Sequence, residues 1–148
     1  NTTIIKWDLS SIPTSAAVTD ATLYLYQVDN RGDSYDIGVH KIINVNPVIS
    51  DCTWNTYDGT NSWTGGADGG QSDIAAAEDT QAVNDTNNEY KTWSVTNMVQ
   101  AWVSTPSNNF GMLVNSDPVS KKDYYRSFAS TEDNDSSVRP KLIVTYSD

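Results

Sequence analysis

The chain has 148 residues and carries nine Lys plus Arg against nineteen Asp plus Glu, a net charge of −10. Such a field repels phosphate backbones and anionic lipid, which argues against nucleic-acid and membrane-surface binding. No apolar run approaches the ~18 residues of a membrane span, and the single cysteine, Cys52, excludes an internal disulfide and a Cys-based metal site.

A chain of this length is expected to fold as one domain, residues 1–148, with a sizeable core. Ile5, Trp7 and Leu9 alternate with Lys6 and Asp8, which predicts a strand over residues 4–9 that stops at a turn over 10–13. The clearest strand is 18–28. Ala21, Leu23 and Leu25 face one way and Thr22, Tyr24, Tyr26 and Val28 the other, and bulk on both faces makes it central. A loop over 29–36 leads to a strand over 37–45 that carries the only histidine, His40.

Pro47 opens a long irregular region in which Gly, Asp, Asn and Thr interleave with Trp54, Tyr57 and Trp63. Loops of this length are usually functional or disordered, and the embedded aromatics favour function. Residues 74–83 are expected to form a short helix with a weak apolar face. In residues 93–103, WSVTNMVQAWV, a buried strand runs into a helical turn whose stripe is Val95, Val99 and Trp102. Thr96 or Asn97 is the expected N-cap, and Pro106 ends the turn. Alternation then predicts strands through Phe110, Met112 and Val114, over 124–130, and over 140–146 with Leu142, Val144 and Tyr146 pointing inward. Short strands and frequent turn signals give an all-β, jelly-roll-like antiparallel β-sandwich with one short helical turn, about Thr96–Ser104.

Chemistry is sparse. His40 is the sole candidate base and no partner motif accompanies it, so nucleophilic catalysis finds no constellation. For a cation, hard oxygen ligands cluster as Asp29, Asp33 and Asp36, as Asp58, Asp68 and Asp73, and as Glu132, Asp133 and Asp135. A structural calcium and a solvated acidic surface stand side by side as readings, and no cluster has EF-hand spacing. For a sugar, the expected platforms are Tyr57 and Trp63 in the long loop, and Tyr124 and Tyr125 beside Lys121, Lys122 and Arg126. The second group is the one basic cluster of an acidic chain, with Arg126 suited to clamp a carboxylate. Trp54, Trp93 and Trp102 are expected in the core.

Seven blocks carry a resemblance: IIKWDLSSIP (4–13), VTDATLYLY (18–26), TWN (53–55), WSVTNMVQAWV (93–103), NNFGMLV (108–114), SFASTED (127–133) and RPKLIVTY (139–146). In this order they resemble the DNRLRE-type domain, which includes the disaggregatase-related repeat of methanogenic archaea and alginate-binding modules of some polysaccharide lyases. The loop TWNTYDGTNSWTGGADGG is most similar to the disaggregatase-related branch. Members usually begin with one or two further strands, whereas this chain starts almost at the FDLS-like strand. Either the first strand is cut from this sequence or the sandwich lacks a strand that something else supplies, and an unfilled sheet edge would be a site for strand addition from a neighbour.

The resemblance implies a secreted or cell-surface module. The leading expectation is a non-catalytic extracellular domain that binds acidic polysaccharide or matrix. The alternative is a structural cell-surface or filament subunit that joins neighbouring copies by strand addition, and the third is a polysaccharide-cleaving enzyme.

Overall fold

The computed structural model describes residues 2–116 and 123–148. The chain order is β1 (Thr3–Ile5), β2 (Ala17–Arg31), β3 (Tyr35–Ile42), β4 (Ile74–Val83), β5 (Glu89–Ser94), α1 (Thr96–Ser104), β6 (Met112–Ser116), β7 (Tyr125–Phe128) and β8 (Lys141–Ser147), with 3-10 turns at Pro106–Asn108 and Ser136–Val138. One antiparallel sheet runs β1-β6-β3-β4. In the other, β2 pairs β5 along one edge and holds β8 and β7 end to end along its opposite edge. The expected two-layer antiparallel sandwich is what the chain forms.

Alternation along β2 builds one wall of the core. Ala21, Leu23, Leu25 and Gln27 are buried, while Tyr24 and Tyr26 lie half-buried on the outer face. There Tyr90 meets both rings edge-on, at 6.0 and 5.1 Å, and Lys141 stands over the Tyr90 ring at 3.9 Å. The opposing wall comes from Ile37, Val39, Met112 and Val114, and α1 plugs one end with Val95, Val99 and Trp102 as the stripe required. Trp93 of β5 crosses the gap and donates from Nε1 to the Ile37 carbonyl at 2.9 Å, tying the two sheets together. Burying side chains of this size is the main stabilising term.

Several local expectations are corrected. Residues 74–83 are a strand, not a helix. Their Ala-rich, acidic sequence has helical propensity, but registered pairing with β3 from Tyr35↔Val83 to Ile42↔Ile74 overrides it. Neither Thr96 nor Asn97 caps α1. The Thr96 hydroxyl accepts instead from Ala21 N, and the Glu78 carboxylate on β4 takes the N–H groups of Asn97 and Met98 at 2.7 and 2.8 Å. A carboxylate across the turn thus meets the positive end of the helix dipole. Burial pushes the Glu78 carboxyl up, against the lowering effect of those two bonds. The expected strand over 4–9 is only three residues long, and Tyr146 lies exposed near the end of β8, not inward.

The two loop tryptophans exchange places. Trp63 is 2% exposed and Trp54 is 47% exposed. Trp63 drops onto the outer face of the β6 sheet, where Gly70, at φ +88°, leaves no Cβ between its ring and Leu113. The long loop therefore covers that face, which is why Leu113 and Ile42 are buried outside the central core.

Candidate functional site

The sandwich has two poles. At the pole where β2 ends, Arg126 of β7 projects into a ring of backbone carbonyls. Its Nε donates to Asn84 O at 2.8 Å, Nη1 to Arg31 O and Tyr125 O, and Nη2 to Gly32 O, Asp33 O and Val83 O. The guanidinium also lies 4.8 Å from the Tyr35 ring centre. Five N–H donors are the whole capacity of this side chain. Where the sequence suggests a carboxylate clamp, Arg126 in this structure holds the β2–β3 and β4–β5 turns together through their carbonyls.

Around it, the Tyr124 hydroxyl donates to Asp33 at 2.9 Å and the Tyr125 hydroxyl to Asp29 at 3.0 Å. That bond to Asp29 raises the Tyr125 phenol above its ordinary value. Tyr125 is the member of the group with an exposed ring. Lys121 and Lys122 lie outside the described residues. The hollow here measures about 150 Å³.

The metal-ligand candidates do not converge. Asp58 accepts from the N–H groups of Thr60 and Asn61, and those bonds with the Asn61 amide lower its carboxyl. For Asp68, burial pushes the carboxyl up, but bonds from Ser72 and Gly70 outweigh it and leave it below the ordinary value. Asp73 is fully buried and accepts from Thr64 N at 2.9 Å and from the Thr64 hydroxyl. Each carboxylate is spent on its own loop turn. Among the described residues no three His, Cys, Asp or Glu side chains gather as a metal site needs, and Asp29, Asp33 and Asp36 form no such group.

Tyr57 is half-buried with its ring 6.0 Å from that of Trp63, whose Nε1 donates to Thr53 O at 2.9 Å. The pair anchors the loop, and Trp63 offers no face to a ligand. His40 has its Nδ1 2.9 Å from Ala75 O, an edge contact within the sheet.

The opposite pole, beside α1, is different. A cleft of about 680 Å³ opens between the segment after β1 and the end of α1, lined by Trp7, Leu9, Ile12, Trp102, Val103 and Asn109 among others. Its volume falls within the ~300–1,000 Å³ of small-ligand sites. Among the described residues four buried side-chain polar atoms lack a partner, and three of them belong to this lining: Trp7 Nε1, Trp102 Nε1 and Asn109 Oδ1. The amide nitrogen of Asn109 is used, donating to Trp7 O at 2.8 Å and bracing the wall. Across the rim, Lys6 Nζ donates to Asn46 Oδ1 at 2.6 Å. Gly111, at φ +94°, lets the chain turn into β6 with Ile5 O only 2.8 Å from where a Cβ would stand. The sequence marks Trp7 as a strand residue and Trp102 as core, and none of Trp7, Trp102 or Asn109 as a site residue, since they are far apart in the chain and share no spacing.

A second groove, of about 590 Å³, runs between β1 and β7, lined by Ile4, Ile5, Leu25 and Phe128 among others. β1 pairs with β6 alone, so among the described residues its other edge has no strand partner.

The fold and site define a two-sheet antiparallel β-sandwich with a cleft at its helical pole. No protein-family model matches the chain, and no curated protein matches it in sequence. The likeness to DNRLRE-type domains therefore rests on the seven blocks quoted above. Among the described residues no helix is long and apolar enough to cross a membrane.

Proposed function

We propose that this chain is a non-catalytic extracellular module that binds polysaccharide or matrix at the cell surface through the cleft beside α1. One observation carries the reading: among the described residues, three of the four unpartnered buried polar atoms belong to side chains that line a single cleft. An unpaired buried donor or acceptor costs about 1–3 kcal/mol, so their gathering at one place favours a site completed by an incoming polar ligand. The apolar wall of Leu9, Ile12 and Val103 supplies the other half of a sugar site, a surface for ring C–H groups. Retention of the folded chain on immobilised polysaccharides tests it, and the reading falls if no polysaccharide retains it.

A second reading, a structural subunit joined to copies of itself by strand addition, is favoured by the unpaired β1 edge above the apolar β1–β7 groove. Light scattering at rising concentration decides it, with growth into oligomers expected for a subunit and a constant monomer mass counting against it.

A further inference from the structure

We infer that the cleft beside α1 takes an uncharged, hydroxyl-rich sugar and not a uronate, an inference that rests on reading the chain as a polysaccharide-binding module. The unpaired lining groups are two indole N–H donors, on Trp7 and Trp102, and one amide oxygen, on Asn109. A hydroxyl both donates and accepts, so a polyol can answer all three. A uronate adds a carboxylate, which accepts only and which must meet a cation or several strong donors to be buried without large cost.

Among the described residues the cleft offers two neutral indole donors but no buried cation. Among the described residues Lys6 is the one cation that lines it, stands exposed at the rim and already donates to Asn46, while Asp8 lines the same rim with the opposite charge. Asp8 is itself held ionised by bonds from Ser10, which lower its carboxyl. The chain's net charge of −10 adds long-range repulsion of any polyanion. At the opposite pole Arg126, the group best shaped for a carboxylate, has its donors filled by backbone carbonyls.

The three polar atoms are buried in the free chain. A ligand therefore seats as the lining side chains part around it, and tryptophan emission reports the event. The test is calorimetric titration with tryptophan fluorescence, using neutral oligosaccharides of glucose, mannose and galactose against oligomers of mannuronate, guluronate and galacturonate. It is run at low and high salt on the wild type, Trp7→Phe and Trp102→Phe. The two variants keep an aromatic ring and remove one N–H each, so at least one folded variant is in hand if the other fails.

The expected result is a neutral oligosaccharide bound equally at both salt concentrations, with an emission change, and weakened about tenfold in a folded variant, the fold-change of one lost hydrogen bond. Tighter, salt-sensitive binding of a uronate oligomer that a variant abolishes overturns the inference and leaves the polysaccharide reading standing. Neutral binding that both variants leave unchanged places the site elsewhere and also overturns it. A folded wild type that binds no oligosaccharide of either kind removes the reading beneath it as well.

Discussion

The two poles of the sandwich hold similar residue types and use them in opposite ways. At one, the Arg126 guanidinium meets the carbonyls of Arg31, Gly32, Asp33, Val83 and Asn84, and little room is left around it. At the other, two indoles and an amide oxygen have no partner beside a cleft more than four times larger. The lesson concerns how a site is recognised. A charged or aromatic residue marks a site only when its hydrogen-bonding capacity is left over after the fold has been satisfied. By that standard Arg126 serves the scaffold, and the inconspicuous pole beside α1 is the candidate site.

The hardest blow to this comparison would come at Arg126. Arg126→Ala leaves several turn carbonyls unpaired, and a loss of about 3 kcal/mol in urea unfolding is expected, with polysaccharide binding by the remaining folded protein unchanged. Binding lost at unchanged stability would reverse the roles of the two poles. Next in size is Gly111→Ala, which forces a Cβ against Ile5 O in a left-handed backbone conformation. Roughly 2 kcal/mol of destabilisation is expected, together with faster hydrogen exchange along the β1–β6 pairs.

A finer test compares the two core indoles. Trp93→Phe removes the bond to Ile37 O, whereas Trp102→Phe removes a donor that bonds to nothing. With ring loss common to both, Trp93→Phe should cost about 1 kcal/mol more, and equal costs in parallel denaturation curves would show that Trp102 Nε1 is satisfied after all.

The smallest effects are in pH dependence. The Glu78 carboxyl is raised by burial, so its ionisation works against the fold. The stability it contributes is present below the unfolded carboxylate pKa, ~4.3, and is lost as pH rises through its folded value. Glu78→Gln should therefore gain stability relative to wild type on going from acid to neutral pH. Asp68, lowered by its Ser72 and Gly70 bonds, has the reverse sign. Asp68→Asn should cost most at neutral pH and converge with wild type as pH falls through the folded value of Asp68. Melting temperatures measured across pH check both slopes.

What could be read in the chain beforehand was what depends on near neighbours. The two-residue alternation of β2 and the Val95, Val99, Trp102 stripe each place side chains by local geometry alone, and both stand in the structure. What escaped depends on partners distant in sequence. β4 becomes a strand because β3 is beside it, and the α1 cap is a carboxylate 19 residues before the N–H it accepts. The sequence puts Trp54 in the core and Trp63 on the surface, and the structure reverses them. Both rings pack on a glycine of the same loop, Trp54 on Gly69 and Trp63 on Gly70, but Gly70 is the one that also sits against Leu113. The cleft is the extreme case: Trp7 O and Asn109 Nδ2 meet across 102 positions of chain.

The three-pair seam between β1 and β6 has a mechanical consequence. Tension applied at residue 3 would unzip that ladder one rung at a time, whereas β8 shares a ladder from Ala17↔Ser147 to Tyr24↔Lys141 with the longest strand of the protein. Under load the molecule is thus a lopsided link, yielding first at β1, and because Trp7 lies two residues beyond the end of that strand, pulling there would loosen the cleft wall before it disturbed the hydrophobic interior.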